Sequence, residues 1–173
     1  AVTTDHGQGH PTMSRQVVSH LLGIDERKIE VHEGDTDKLE QGNGTGGSRV
    51  SSLGTSAARI ASGRIIEKAS QIAAHLLEVN SSDIEFTRDS FKIVGTDRSV
   101  SWEMVVEAAF AEDQLPRGIE PGLHVKAHFE STAPNFPSGC HACEVWMERG
   151  VNETVEVRTT IERAEGKRHG PSH

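Results

Sequence analysis

Met13, Val17 and Leu21 recur at helical spacing, with Val18 and Leu22 beside them, and predict a helix over residues 11–23 that Gly23 can stop. The stretch "KIEVHEG" then alternates Ile29 and Val31 against Glu30 and His32, as a half-buried strand does. A glycine-rich loop over residues 34–49 separates it from the longest predicted element, a helix from about Val50 to Val79. Leu53, Ala57, Ile60, Ala61, Ala69, Ile72, Ala73, Leu76 and Leu77 form its apolar stripe, and Arg59, Arg64, Glu67 and Lys68 lie off it. Gly54 and Gly63 weaken such a helix, so close approach of another backbone, or a kink, is expected there. "SSDIEFTRDSFKIVG" reads as two short strands around a turn at residues 88–90, and "SWEMVVEAAFAE" as a short helix. "DQLPRGIEPG" is a linker-like loop. "HVKAHFES", "HACEVWM" and "ETVEVRTTI" read as strands of an antiparallel sheet. The expected class is therefore α+β, helices packed on a mixed or antiparallel sheet. One domain is expected over residues 1–160. Residues 161–173 are charged, without an apolar period, and are expected to form a disordered tail.

Composition narrows what such a fold can serve. The 173-residue chain is 34% hydrophobic with a mean hydropathy of −0.48, which implies a modest core. Its net charge of −8 and pI near 5.7, with no basic run, speak against a nucleic-acid partner, because such binders gather Lys and Arg on one face. No apolar stretch approaches the roughly 18 residues that span a bilayer, and no charged-then-apolar leader opens the chain. A cytoplasmic protein without a membrane partner is the expectation. The C-x-x-C formed by Cys140 and Cys143 runs into β-prone residues instead of opening a helix, and no second pair completes a zinc site. Reduced, non-catalytic thiols in or beside a strand are expected.

Candidate chemistry concentrates in the glycine loops. In "TTDHGQGHPTM", with His10 near an N-cap and Pro11 at the first helical position, the free N–H groups of the first turn point into one small space that prefers an anion. Gly7 and Gly9 permit backbone conformations closed to other residues, while Gln8 and Thr12 add side-chain donors. "GNGTGGSR", residues 42–49, repeats the design ahead of the long helix, and Arg49 can grip a phosphate through two parallel hydrogen bonds. Two such loops point to a ligand with several phosphates. Neither matches the G-x-x-x-x-G-K-[ST] loop or the G-x-G-x-x-G dinucleotide pattern in its usual setting. Glu33, Asp35 and Asp37 in "HEGDTD" read as solvated turn residues.

Taken in order, "GQGHPT", "LLGID…KIEVHEGDTD", "GTGGSR" before a long helix, "AAHLLEV…DIEF" with "FKIVG", "LPRGIEPGL" and "FPSGCHACEV" resemble the molybdenum-cofactor-binding large subunit of the xanthine dehydrogenase, aldehyde oxidase and carbon monoxide dehydrogenase family. The resemblance covers about residues 1–145. It implies an oxidoreductase subunit that holds molybdopterin, as the cytosine dinucleotide in bacterial members. The family's G-Q-G and G-S-R loops lie against the pterin and its phosphates. The matching residues here are Gly7, Gln8, Gly9, His10 and Thr12, then Thr45, Gly46, Gly47, Ser48 and Arg49. Implied partners are the rest of the large subunit, an FAD-binding medium subunit and a small subunit with 2Fe–2S clusters. Implied substrates are aldehydes, N-heterocycles or carbon monoxide.

The chain also departs from the family pattern. Its G-x-G-E segment with the catalytic glutamate and the motifs that precede G-Q-G have no counterpart here, and the region after Val145 diverges. No catalytic residue is therefore assigned. The chain resembles a fragment, a split subunit or a decayed gene product, inactive alone. The alternative is a non-enzymatic module that binds a phosphate-bearing molecule or a partner protein through the same loops.

Overall fold

The computed structural model describes residues 3–35, 37, 38, 44–131, 139–147 and 154–163. The chain divides into two compact units, Ala1–Asn135 and Phe136–His173.

The first unit carries the core. Helix α1 (His10–Leu22) ends at Gly23, whose left-handed φ of 68° lets its N–H cap the carbonyl of Ser19. Of residues 28–34, expected as a strand, Lys28 ends a 3-10 turn and the rest have no regular structure; Glu30 is exposed between the half-buried Ile29 and Val31, but among the described residues no neighbouring strand supplies the ladder that a strand requires. Instead the segment follows a 3-10 turn at Glu26–Lys28 and lies along α1, where the Arg15 Nε–H donates to the Ile29 carbonyl at 3.2 Å. Helix α2 (Val50–Leu77) runs uninterrupted for 28 residues. It stops at Glu78 in the left-handed region, with the Glu78 N–H bonding back to Ala74 and His75.

Strands β1 (Ile84–Thr87), β2 (Ser90–Ile93) and β3 (Ser99–Ser101) form an antiparallel sheet in the order β1-β2-β3, with Phe86 opposite Phe91 and Phe91 opposite Val100. The first two are the predicted hairpin. β3 occupies three residues whose sequence merges into the following helix, α3 (Trp102–Phe110), capped by the Ser101 hydroxyl accepting from the Met104 N–H.

Phe91, Ile72 and Val105 are fully buried where sheet, α2 and α3 meet. Each side chain of this kind contributes about 2 kcal/mol by leaving water. Trp102 packs edge-on against Phe86 and Phe91, and its indole N–H donates to the Leu22 carbonyl at 2.8 Å, joining the end of α1 to the sheet. The apolar stripe predicted on α2 is buried in its C-terminal half, at Ala69, Ile72, Ala73 and Leu77, whereas Leu53, Ala57, Ile60 and Ala61 are only half-covered. Gly54 and Gly63 meet no neighbouring backbone: a β-carbon at either would have nothing within 4 Å. The close approach belongs to Gly23, where an added β-carbon would stand 1.3 Å from the carbonyl oxygen of Arg88.

Residues 113–122, read as a linker-like loop, are packed: Leu115 and Ile119 touch the core, and the Gly122 N–H donates to the Ala109 carbonyl at 2.6 Å. Residues 124–131, read as a strand, have no regular structure and are held by the Arg64 guanidinium donating to the Lys126 carbonyl at 2.8 Å. In the second unit β4 (Gly139–Met147) pairs antiparallel with β5 (Thr154–Arg163), as the sequence predicted for "HACEVWM" and "ETVEVRTTI". β5 includes residues 161–163; residues 164–173 of the expected tail lie outside the described residues.

Candidate cofactor site

The two glycine loops come together at one pair of residues. The Thr45 hydroxyl donates to the Thr4 carbonyl at 2.6 Å, and the Thr4 N–H donates back to the same hydroxyl at 3.0 Å. The pair makes neighbours of segments 41 positions apart.

Within the first loop, Gly7 and Gly9 have φ of 99° and 80°, the left-handed region that L side chains rarely adopt. Gly9 is the N-cap of α1, so His10 is the first helical residue and Pro11 the second, one step later than the sequence suggested. The expected anion cradle is partly filled from within. Asp5 Oδ1 accepts the N–H groups of Gly9 at 3.1 Å and His10 at 3.3 Å, placing a carboxylate where the helix start favours one. Thr12 is exposed in the first turn. Gln8 is exposed; its Oε1 accepts from the His6 N–H, and its Nε2 lies 3.5 Å from both the Thr4 carbonyl and His10 Nδ1.

His10 is buried beside Glu33, with Nδ1 3.8 Å from Glu33 Oε2. The Glu33 side chain is only 7% exposed, which corrects its reading as a solvated turn residue. It shares its strand parity with the half-buried Val31 and Ile29, two and four positions earlier, so the alternation itself carried the signal. Glu33 Oε1 accepts from the Thr3 hydroxyl at 3.2 Å. Asp35 does behave as a turn residue, accepting the Asp37 N–H at 3.0 Å. Asp5 and Thr4 were missed because their roles need partners that sequence spacing does not reveal, although an acidic residue just ahead of a helix start is a recognisable cap.

In the second loop Gly47 and Ser48 both have positive φ, 63° and 51°, and Gly46, Gly47 and Arg49 are exposed. Arg49 is the N-cap residue of α2 and forms no ion pair among the described residues. A β-carbon added at Gly7, Gly9, Gly46 or Gly47 would meet nothing within 4 Å. The loops thus present bare backbone to open space, with an amide, a hydroxyl and a guanidinium nearby in sequence as donors. That donor set fits a nucleotide cofactor's phosphates.

Residues 1–168 match the family model described as Molybdopterin cofactor-binding domain. The chain belongs to that family. It is similar to the carbon monoxide dehydrogenase large chain of Hydrogenophaga pseudoflava, 37% identical over 153 residues that make up 88% of this chain and 19% of the relative. It is also similar to the 6-hydroxypseudooxynicotine dehydrogenase complex subunit gamma of Paenarthrobacter nicotinovorans, 34% identical over 145 residues, 82% of this chain and 18% of that one. Among solved structures, reconstituted CO dehydrogenase from Oligotropha carboxidovorans superposes with a TM-score of 0.73 at 33% identity, covering 82% of this chain and 17% of that one. The chain spans about a fifth of the length of the curated relatives it matches. The α+β class and the molybdopterin cofactor read from the sequence both stand with this family.

Cys140 and Cys143 lie in β4, as expected, and are exposed. Three positions apart on a strand, they face opposite sides and sit about 10 Å apart, beyond the ~7 Å that a disulfide can bridge. Among the described residues no helix is long and apolar enough to cross a membrane.

Proposed function

We infer that this molybdopterin-binding chain supplies phosphate and pterin contacts within the large subunit of a molybdenum hydroxylase. The observation that carries the reading is the Thr4–Thr45 pair, which joins two bare-backbone loops into one surface. Gln8, Thr12 and Arg49 would hold phosphate oxygens, while Gly7, Gly9, Gly46 and Gly47 leave room for the ligand to reach the main chain. Thr45 and Ser48 complete the second loop, Thr45 by fixing its position. The cytosine dinucleotide form suits the proposal, because two loops can serve a pyrophosphate. When bound, the cofactor's molybdenum supplies a two-electron acceptor for hydroxylation with oxygen from water.

The proposed partners are the rest of the large subunit, an FAD-binding medium subunit and an iron–sulfur small subunit. The proposed substrate is carbon monoxide, an aldehyde or an N-heterocycle, with the cytoplasm as the compartment. The test is Gly9→Val in the chain assembled with its complementing large-subunit segments in a host that makes the cofactor. Valine at φ 80° is strained by a few kcal/mol and projects into the open space. Molybdenum and released cytidine nucleotide, both measured per folded protein, should fall at least tenfold. Unchanged contents would remove the first loop from the cofactor site.

A further inference from the structure

Glu33 Oε2 is a buried side-chain oxygen with no hydrogen-bond donor among the described residues. Such an atom carries a desolvation cost that a fold built for stability alone would avoid with an apolar side chain. The nearest titratable neighbour is the buried His10, 3.8 Å away at Nδ1. That same ring nitrogen is 3.5 Å from Gln8 Nε2. The two neighbours make opposite demands on it. A bare Nδ1 accepts from the Gln8 amide, whereas an Nδ1 that carries hydrogen turns its positive edge to the Glu33 carboxylate, an electrostatic contact at 3.8 Å that is longer than a hydrogen bond, and repels the amide hydrogens. Only one arrangement can hold at a time. The carboxylate, buried and lacking any other donor on Oε2, favours the second. Gln8 then keeps its Oε1 bond to the His6 N–H, and its exposed NH2 group is left with the long contact to the Thr4 carbonyl.

We propose that Glu33 is a positioning residue that holds the His10 imidazole with its proton on Nδ1 and so releases the Gln8 amide to donate to a phosphate of the nucleotide cofactor. The proposal rests on the reading that the first loop holds that cofactor. It assigns a purpose to a buried, half-satisfied carboxylate that the packing of the core does not need.

The experiment uses the full chain, 15N-labelled, with cytidine 5′-diphosphate as the probe. Long-range 15N–1H spectra of the imidazole at neutral pH read the His10 tautomer without any ligand. The parent should show hydrogen on Nδ1, Glu33→Leu should show it on Nε2, and Glu33→Gln, which retains an acceptor oxygen, should restore the parent pattern at least in part. Titration calorimetry should find the probe bound about fivefold more weakly by Glu33→Leu, the worth of roughly one hydrogen bond. Thermal melting should show no loss of stability in the same variant, since leucine replaces a buried carboxylate. An Nδ1 proton that persists in Glu33→Leu overturns the proposal. So does a tautomer change with unaltered affinity, which would leave the loop reading intact. Failure of the loop reading has a different signature: the parent and Arg49→Ala would bind the probe equally weakly, whatever the tautomer, and the proposal would fall with it.

Discussion

Gly23 ends α1 with the carbonyl oxygen of Arg88 standing where a β-carbon would be, at 1.3 Å, and with φ at 68°. Both the clash and the strain fall on backbone, which cannot rotate away. Gly23→Ala is therefore expected to cost ~3 kcal/mol or more, read as a shift in the urea midpoint. Gly54→Ala is expected to move the same midpoint the other way by roughly 0.5–1 kcal/mol, because its helical site is open on all sides and alanine is the better helix former. The sequence points to the helix-interior glycines as packing positions, but the capping glycine has that role. At Asp25, the side-chain hydrogen bond from the Arg27 guanidinium, helped by the Arg27 backbone N–H, lowers the carboxyl pKa to about 2. The resulting stabilisation is complete above the unfolded value of about 3.9 and is lost as pH falls through about 2. The pair is exposed, so the effect on stability is small and salt-sensitive. Carboxyl chemical shifts should titrate near 2 in the parent and move toward the ordinary value in Arg27→Ala.

At the scale of elements, α2 behaves as two helices in one. Its C-terminal half is clamped onto the sheet through Ala69, Ile72, Ala73 and Leu77, and Arg98 holds the last turn by donating to the Leu77 carbonyl at 2.9 Å. The N-terminal half, which begins at the second glycine loop, is much less covered and makes Arg49 available. In Arg49→Lys the charge stays but the planar two-donor fork is lost. Retention of the dinucleotide is expected to weaken severalfold, and further in Arg49→Ala, while the melting temperature of both stays within about 1 °C of the parent, as suits an exposed N-cap whose side chain makes no cap bond. Nucleotide released on acid treatment, measured against protein, checks the first expectation and calorimetry the second. Equal retention in all three proteins would make Arg49 a surface residue.

For the whole molecule, three of the carboxylates around the candidate site are already employed. Asp5 caps α1, Asp35 closes a turn and Glu33 faces His10 and Thr3. A hydroxylation needs a general base within hydrogen-bond reach of the reacting oxygen, and none of these three is free for it. The isolated 173-residue chain is accordingly expected to show no dye-coupled oxidation of aldehydes, N-heterocycles or carbon monoxide, even when purified from a host that inserts the cofactor. Turnover that scaled with molybdenum content would return Glu33, Asp35 and Asp37 to consideration as the base. The second unit carries a related expectation about assembly: among the described residues β4 and β5 form a ribbon of two strands with unpaired outer edges and little stability of its own, so both should gain protection from hydrogen exchange when the remaining large-subunit segments are present.

Periodicity and turn chemistry determined much of this protein directly. The apolar spacing of residues 11–22 and 50–77 produced α1 and α2, the "TRDS" turn produced the β1–β2 hairpin, and positive-φ glycines marked the loops, because each of these depends on residues close in sequence. Ordered motifs carried the family and its cofactor in the same way. What local pattern could not decide was partnership. "KIEVHEG" and "HVKAHFES" alternate like strands but find no ladder among the described residues, since hydrogen-bonded neighbours are a property of the whole fold. The covering of only half of α2, the burial of Glu33 against His10, the occupation of the helix start by Asp5 and the joining of the two glycine loops through Thr4 and Thr45 were likewise settled by tertiary structure. Each depends on contacts between distant segments, whose free energy comes from desolvation and geometry that no short stretch of sequence contains.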